Sequence, residues 1–527
     1  MNLKIIIYLF LSGVLYASGF PILGTNYLFP LGPSLSIVFL TLLLFKISIP
    51  KKFISTLVTL ILSVFIFGLG LYAFGFYWIP HTLYEFGNVP SSLSQLAGFF
   101  SPLVLMPPLY LLAALIFFRR KIIGLTPQLN EIFCWVILFL FLARLVPMQF
   151  PIFPGHSFLI FAPYLKLGNI LGVAGYDFLG VSIAFALVYG FRTKQIHWGL
   201  ISFASLFVVL HLFWPSLELE ESEKVKIRIV QANISSESKT SSENGEYTSI
   251  SDIVSAHYDL SNEPGFSPDL IIWPETAYPL PISSTKINSN TDFLPLALQT
   301  LNAENPSEIF FGVRDVTPSD ELTNAGGFLR KNNKLEMYYK NKLLPFGEDL
   351  PFGFLNDYLK PMFPMIAFFY RGHTSELFKL QNEKSSFKSL ICYEVLFSSL
   401  VREHLNRHQE LPNFLINITN DSWYGDTSEP HQHLFLSRWR SIEYGIPLVR
   451  SANTGISAII SPWGEVVAKL DLNTKGNLDS VVQTYQSRPT YFSKYGNITN
   501  FILGVFLIIL SIFSLKRNLH AINHEVE

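Results

Sequence analysis

Eight apolar stretches limit what this chain can fold into more than any other feature of its sequence. They fall at 3–20, 29–46, 53–78, 103–118, 132–149, 168–191, 197–214 and 499–515. Each is near the roughly 20 mostly apolar residues that a helix needs to cross a hydrocarbon core. The first has the layout of a secretory signal, with Lys4, an apolar run and then Ala17, Ser18 and Gly19. Further apolar stretches follow at once, so it reads as an uncleaved helix. Only 15% of the 527 residues are charged, against roughly 25% in a soluble domain. The deficit lies mainly before residue 215, and residues 216–497 have the composition of an ordinary globular chain. The sequence therefore predicts a polytopic α-helical membrane protein of about eight transmembrane helices with an inserted domain. Residues 1–215 hold spans one to seven, 216–497 the inserted domain, and 498–527 the eighth span and a tail.

Lysine and arginine set the orientation. With the N-terminus in the cytoplasm, the cytoplasmic loops carry Lys46, Lys51 and Lys52, then Arg119, Arg120 and Lys121, then Arg192 and Lys194, with Lys516 and Arg517 in the tail. The opposite loops at 21–28, 79–102 and 150–167 carry only Glu85 and Lys166 as charges. This asymmetry predicts that residues 216–497 lie outside the cytoplasm. Arg144 stands near the outer end of the fifth stretch. Its planar fork suits a lipid phosphate, and snorkelling or pairing with a backbone carbonyl is the structural alternative. The spans lack the several charges of a proton relay, so they read as an anchor and a lipid-facing platform. The net charge of −1 argues against a nucleic-acid surface, which would be basic. Two cysteines, Cys134 and Cys392, cannot make a disulfide framework.

In the inserted part, strands are predicted at 226–231, 269–273, 308–314, 387–393, 413–418, 447–451 and 456–461, and helices at 292–303 and 431–444. Several of the strands are apolar on both faces, as in a layered α/β domain. Residues 216–224 read as a polar linker, and the Ser-rich run 235–250 as a surface loop. Three polar residues stand at strand ends: Glu275 in Trp273-Pro274-Glu275, Lys340 after Met337-Tyr338-Tyr339, and Cys392, which ends its strand and precedes Tyr393-Glu394. Singly, each is most simply a solvated end, a surface cation or a core thiol. Together they supply a carboxylate base, a cation for an oxyanion and a nucleophile, which is what acyl transfer needs. His431 and His433 are two residues apart, which does not put two ligands on one helix face, and no metal site is expected.

The runs Trp273-Pro274-Glu275, Tyr339-Lys340-Asn341-Lys342-Leu343-Leu344-Pro345-Phe346-Gly347-Glu348 and Ile391-Cys392-Tyr393-Glu394 resemble the three catalytic motifs of the nitrilase superfamily, in the form found in the apolipoprotein N-acyltransferase family. Asn417–Gly425, with Asn420-Asp421-Ser422-Trp423-Tyr424, and Arg450-Ser451-Ala452-Asn453-Thr454-Gly455 are similar to two further segments of that family. Leu167-Gly168-Asn169 through Gly175-Tyr176 resembles its approach to span six. The resemblance implies an α-β-β-α sandwich in which Glu275, Lys340 and Cys392 converge, with no cofactor. It implies a bacterial inner-membrane enzyme whose catalytic domain is periplasmic and which carries out the last step of lipoprotein maturation. Cys392 would take an acyl chain from a membrane phospholipid as a thioester and pass it to the α-amine of the S-diacylglyceryl cysteine of an apolipoprotein. The resemblance also implies that Glu348 orients Lys340 or the base, that Tyr393 and Glu394 shape the acyl pocket or oxyanion contacts, and that Trp423 lines the entrance. Two other readings use the same residues: a membrane-tethered amidase with water as acceptor, and a non-catalytic lipid-binding or transport protein with a degenerate nitrilase domain.

Overall fold

A computed structural model describes residues 1–524 apart from 23–27, 86–88, 124–126, 346, 351–352, 363–367, 382, 408–409 and 487, and without the side chains of 123 and 513–524. Phe346 and the Lys516 and Arg517 side chains, named above, therefore lie outside the described residues, as does much of the loop 21–28. The chain divides into two compact units. One is Met1–Pro80, Ser92–Ser216 and Tyr495–Glu527; the other is His81–Ser91 with Leu217–Lys494.

The first unit is helical. Each of the eight apolar stretches contains a helix: Leu3–Ala17, Gly32–Lys46, Phe53–Gly75, Pro107–Ile123, Leu129–Ala143, Gly168–Thr193, Trp198–Phe213 and Ile498–His524. Phe53–Gly75 and Gly168–Thr193, of 23 and 26 residues, are long and apolar enough to cross a membrane. Several others are apolar but shorter. A helix of 15 residues such as Leu3–Ala17 rises only about 22 Å, short of a core of about 30 Å. Local chemistry trims them. The stretch expected at 103–118 is broken at Met106, which leaves helical geometry (φ −127°, ψ 64°) before Pro107, because a following proline disfavours the helical region. Small residues let helices approach closely: a Cβ on Gly13 would lie 1.9 Å from the carbonyl oxygen of Phe67.

A largely buried charge pair lies in this unit. Arg144, just past the helix Leu129–Ala143, is ion-paired with Asp177 of the helix Gly168–Thr193. Its guanidinium stands over the Phe153 ring at 4.5 Å. The other Asp177 oxygen accepts from the Gly155 amide at 2.6 Å. The reading of the spans passed over Asp177, and with it the partner that occupies Arg144.

The second unit is built on two six-stranded sheets. Their strands are β1 (Glu221–Gln231), β2 (Leu270–Ile272), β3 (Glu308–Val316), β4 (Leu322–Leu329), β5 (Leu335–Tyr339), β6 (Phe378–Lys379), β7 (Ser386–Ile391), β8 (Phe414–Thr419), β9 (Leu448–Ala452), β10 (Ser457–Ile460), β11 (Val466–Leu470) and β12 (Gly476–Tyr485). The orders are β12-β1-β2-β3-β4-β5 and β11-β10-β9-β8-β7-β6. In each sheet three neighbours run parallel, β1-β2-β3 and β7-β8-β9. The sheets meet through aromatic rings, with Phe387 of β7 lying 5.3 Å from Phe310 and 5.2 Å from Phe328. Outside the first sheet, Leu298 and Leu301 of the helix Leu296–Glu304 pack with Trp273 and Ile309. The helices Ser398–Asn406 and Glu429–Tyr444 pack by the segment Cys392–Leu396 that follows β7. Covered on both faces, β7 and β8 are buried along their whole length, as expected of parallel strands inside a layered domain.

Four expectations are corrected. The run 235–250 is largely helical, as Ser236–Glu243 and the start of Tyr247–Ser261, because the Ser235 side chain caps the first of these by accepting from the Ser238 amide. The presumed linker 216–224 already belongs to β1 from Glu221, which pairs with Tyr485. Strands β4, β6, β11 and β12 were not anticipated. Gly326-Gly327 weakens the signal in β4, and β11 alternates half-buried with exposed residues. Finally, β7 ends at Ile391, so Cys392 opens a 3-10 turn and is not a strand residue.

Candidate active site

Strand β2 ends at Ile272, and the chain passes through Trp273-Pro274 to Glu275. The Trp273 ring is buried and its indole N–H donates to Ser261 at 2.8 Å, which fixes the exit of the strand. Thr276 then turns with φ +48°, an uncommon conformation for a residue with a Cβ. Gly312 of β3 faces this turn; a Cβ there would lie 2.2 Å from the Pro274 oxygen and 2.6 Å from the Glu275 Cα. Beneath the turn the buried ammonium of Lys239 donates to the Glu275 carbonyl (3.2 Å), the Thr276 carbonyl (3.1 Å) and the Thr276 hydroxyl (2.6 Å). Burial pulls Lys239 down to about 8, against the upward pull of Glu275 and Glu243.

The Glu275 carboxylate is itself buried. Its Oε1 accepts from Lys340 Nζ at 3.1 Å and Asn324 Nδ2 at 2.8 Å, and its Oε2 from the Asn420 amide at 3.0 Å. Lys340 follows β5 and also donates to Glu348 Oε1 at 2.8 Å. Asn324 of β4 reaches the same Glu348 oxygen at 2.8 Å, and the Leu344 amide holds the other at 2.8 Å. One ammonium and one amide thus bridge two buried carboxylates. Burial alone would depress Lys340, but the charges of Glu275 and Glu348 outweigh it and hold its pKa well above the usual lysine range. Buried charges are tolerated when paired and hydrogen-bonded in this way.

Cys392 is buried and has φ +52°. Its carbonyl accepts from Asn417 Nδ2 of β8 at 3.0 Å. Arg450 of β9 holds Asn417 from behind (2.6 Å) and pairs with the fully buried Asp421 (2.6 Å). Glu394 braces the same turn. One of its oxygens accepts from the amides of Asn341 (2.6 Å) and Lys342 (2.8 Å), the other from the Ile391 amide and the Tyr338 hydroxyl, both at 2.8 Å. It ties the segment after Lys340 to the turn of the thiol. Tyr393 lies beside these groups, its hydroxyl donating to the Leu343 carbonyl and its ring 5.8 Å from Lys340 Nζ. Burial, then the Glu275 charge, raises the Cys392 thiol well above its ordinary value, and Lys340 opposes them. The resting group is therefore a protonated thiol.

Cys392, Glu275, Lys340, Glu348, Trp423 and Tyr424 line one cleft of about 190 Å³. Arg314 and Glu243, paired at 3.2 Å, also line it. The structure thus brings Glu275, Lys340, Cys392, Glu348 and Trp423 together. Tyr393 and Glu394 lie against the groups that position the thiol and Lys340, and Arg144 belongs to the other unit. Sequence reasoning missed Lys239 and Asn324. The signal for Asn324 was an amide side chain within β4, a strand that was not anticipated, and Lys239 lay in the run taken for a loop. Asp421, Glu429 and His433 bring three potential metal-ligating atoms within 4.8 Å of one another. The Arg450 guanidinium already stands on Asp421 and 3.1 Å from His433 Nδ1. The protein thus supplies a positive charge of its own to that cluster.

The carbon-nitrogen hydrolase family profile matches residues 226–488. The apolipoprotein N-acyltransferase of Rickettsia bellii is 33% identical over 375 residues, 69% of this chain and 71% of that protein. The apolipoprotein N-acyltransferase of Haemophilus ducreyi is 29% identical over 477 residues, 87% and 89% of the two chains. A CN-hydrolase superfamily protein from Xanthomonas campestris superposes with a TM-score of 0.34 and 16% identity, covering 50% of this chain and 91% of its own.

Proposed function

This chain belongs to the apolipoprotein N-acyltransferase family, and we propose that it transfers an acyl chain from a membrane phospholipid, through a thioester on Cys392, to the α-amine of the S-diacylglyceryl cysteine of apolipoproteins. The observation that carries the mechanism is the array in which Lys340 joins Glu275 to Glu348 within the cleft that Cys392 lines.

Glu275 takes the proton of the Cys392 thiol, because the thiolate is the nucleophile. The sulfur attacks the acyl ester carbonyl, and the tetrahedral oxyanion is met by the Lys340 ammonium and a backbone N–H near Tyr393. The ester C–O bond breaks, the departing lysophospholipid oxygen takes the proton from Glu275, and the acyl group stays on sulfur. In the second half the acceptor amine attacks the thioester carbonyl and Glu275 receives the amine proton. The C–S bond breaks, giving the amide and the Cys392 thiolate, which recovers that proton. Two half-reactions through one covalent intermediate give ping-pong kinetics. Asn324 and Glu348 keep Lys340 aimed, Glu394 and Tyr393 position the thiol turn, and Trp423 lines the way in.

We read the first unit as a multi-pass anchor of about eight spans in the bacterial inner membrane, with 216–497 as a periplasmic catalytic domain. The lysine and arginine asymmetry of the loops supports this orientation. Both substrates are lipids, and holding the thiol at the bilayer raises their effective concentration.

Full-length protein incubated with acyl-labelled phospholipid should acquire a hydroxylamine-sensitive label that Cys392→Ala abolishes. Wild-type protein that gains no label yet hydrolyses a soluble amide would make the chain an amidase and end this reading. Protein inert in both assays would favour the non-catalytic alternative.

A further inference from the structure

We propose that the first unit holds one anionic phospholipid lengthwise in a cleft between the helices Leu3–Ala17, Gly32–Lys46 and the end of Gly168–Thr193. The cleft has a volume of about 920 Å³. Its walls are apolar, chiefly Leu11, Leu15, Phe39, Leu42, Leu43 and Leu187, and Lys46 and Arg192 also line it. Leu11 and Leu187 are 52% and 55% exposed, so the cleft opens outward.

Two features commit this cleft to a lipid. The first is length. Its lining on the second helix runs from Leu35 to Lys46, which at about 1.5 Å per residue is roughly 16 Å. That is about half of a hydrocarbon core of about 30 Å, the depth of a single leaflet, and Lys46 and Arg192 both lie in the last turns of their helices. The second is charge. Arg119 is paired with Glu131 and Arg120 donates to the carbonyls of Leu44 and Ile47. Among the described residues, Lys46 and Arg192 are exposed and take part in no ion pair. Two uncommitted cations at the head of an apolar cleft match a phosphate of net negative charge. A zwitterionic headgroup brings its own ammonium to the same place and satisfies them less well. Arginine suits phosphate oxygens through its planar fork, and lysine as a point charge.

This inference rests on the membrane reading of the first unit. With the orientation proposed above, Lys46 and Arg192 face the cytoplasm, so the lipid belongs to the inner leaflet. It is a resident molecule, and no step of acyl transfer runs through it.

The test uses full-length protein in nanodiscs of phosphatidylcholine containing a phosphatidylglycerol with a photoreactive diazirine in its acyl chain. After irradiation, the label should map to peptides carrying Leu11, Leu42 or Leu187, and unlabelled phosphatidylglycerol should compete where phosphatidylcholine does not. Each cation near a membrane surface contributes about fivefold to anionic lipid binding. The double variant Lys46→Gln/Arg192→Gln should therefore lower specific labelling about thirtyfold, while Lys46→Arg keeps it. Leu11→Trp/Leu187→Trp, which fills the cleft and leaves the charges, should abolish it. Equal labelling by the phosphatidylcholine analogue, or undiminished labelling of the double variant, means an annular lipid only and overturns the proposal. Acylation of Cys392 read on the same samples separates the two ideas. Its absence with labelling intact faults the enzyme mechanism, and the converse faults the lipid site.

Discussion

The two sheets of the second unit each present part of the candidate active site, and they secure it by different means. The first sheet delivers Glu275, Lys340 and the amide of Asn324, and what holds them is charge: one ammonium between two carboxylates, with a second ammonium, Lys239, under the Glu275 turn. The second sheet delivers Cys392, and what holds it is a frame of hydrogen bonds to backbone. Asn417 takes its carbonyl, and Glu394 gathers three amides around the turn. The ion pair Arg450–Asp421 lies one layer further back. Damage to the first arrangement should therefore show mainly in rate, and damage to the second mainly in folding.

The largest expected effect sits on the second sheet. Arg450→Met leaves Asp421 buried without its guanidinium, with Thr419 and His433 beside it, which costs about 3–5 kcal/mol of stability. Thermal unfolding should show a large drop in Tm, and an unchanged Tm would erase the distinction between the sheets. On the first sheet, Lys340→Ala should slow thioester formation at least about 100-fold, the scale for removing an oxyanion donor. Single-turnover labelling measures this, and a wild-type rate would refute its role. Glu394→Gln keeps the shape but turns an amide donor toward backbone donors, at about 1–3 kcal/mol. Denaturant titration should register that loss before acylation does.

The smallest effect concerns Lys239. Burial lowers its pKa to about 8, while in the unfolded chain it stays near 10.4. Fold stability should therefore rise as pH passes from about 8 to about 10, because only the unfolded chain still binds that proton. Thioester formation should move the other way and fall above about pH 8, as the turn under Glu275 loses its ammonium donors. Lys239→Arg should keep the charge and remove that descending limb from the acylation profile. If the limb persists in the arginine variant, another group titrates there.

What could be read from the sequence followed what is local. Strands β7 and β8 show themselves by local apolar stretches, Leu390-Ile391 and Phe414-Leu415-Ile416, and the motifs around Glu275, Lys340 and Cys392 are contiguous. The helix ends were not legible, because Met106 and Pro107 interrupt an apolar stretch without changing its hydropathy. Lys239 was hidden for a different reason. A lysine among serines looks solvated, and only the oxygens of Glu275 and Thr276, far along the chain, make its burial sensible. Glu394 could be seen to matter, but its part as a brace depends on amides from Asn341, Lys342 and Ile391 that no spacing reveals.

The pairing of Arg144 with Asp177 bears on biogenesis. A charged side chain at the centre of an inserting helix costs roughly 2.5–3.5 kcal/mol, and Asp177 is buried within one of the two helices long and apolar enough to cross a membrane. If the first unit is the multi-pass anchor proposed above, that helix enters a bilayer most readily when the segment ending at Arg144, made earlier in synthesis, is still at hand to neutralise it. The two segments are thus expected to leave the insertion machinery together, as a hairpin-like intermediate. Removing either charge should strand the other and send more of the newly made chain to degradation.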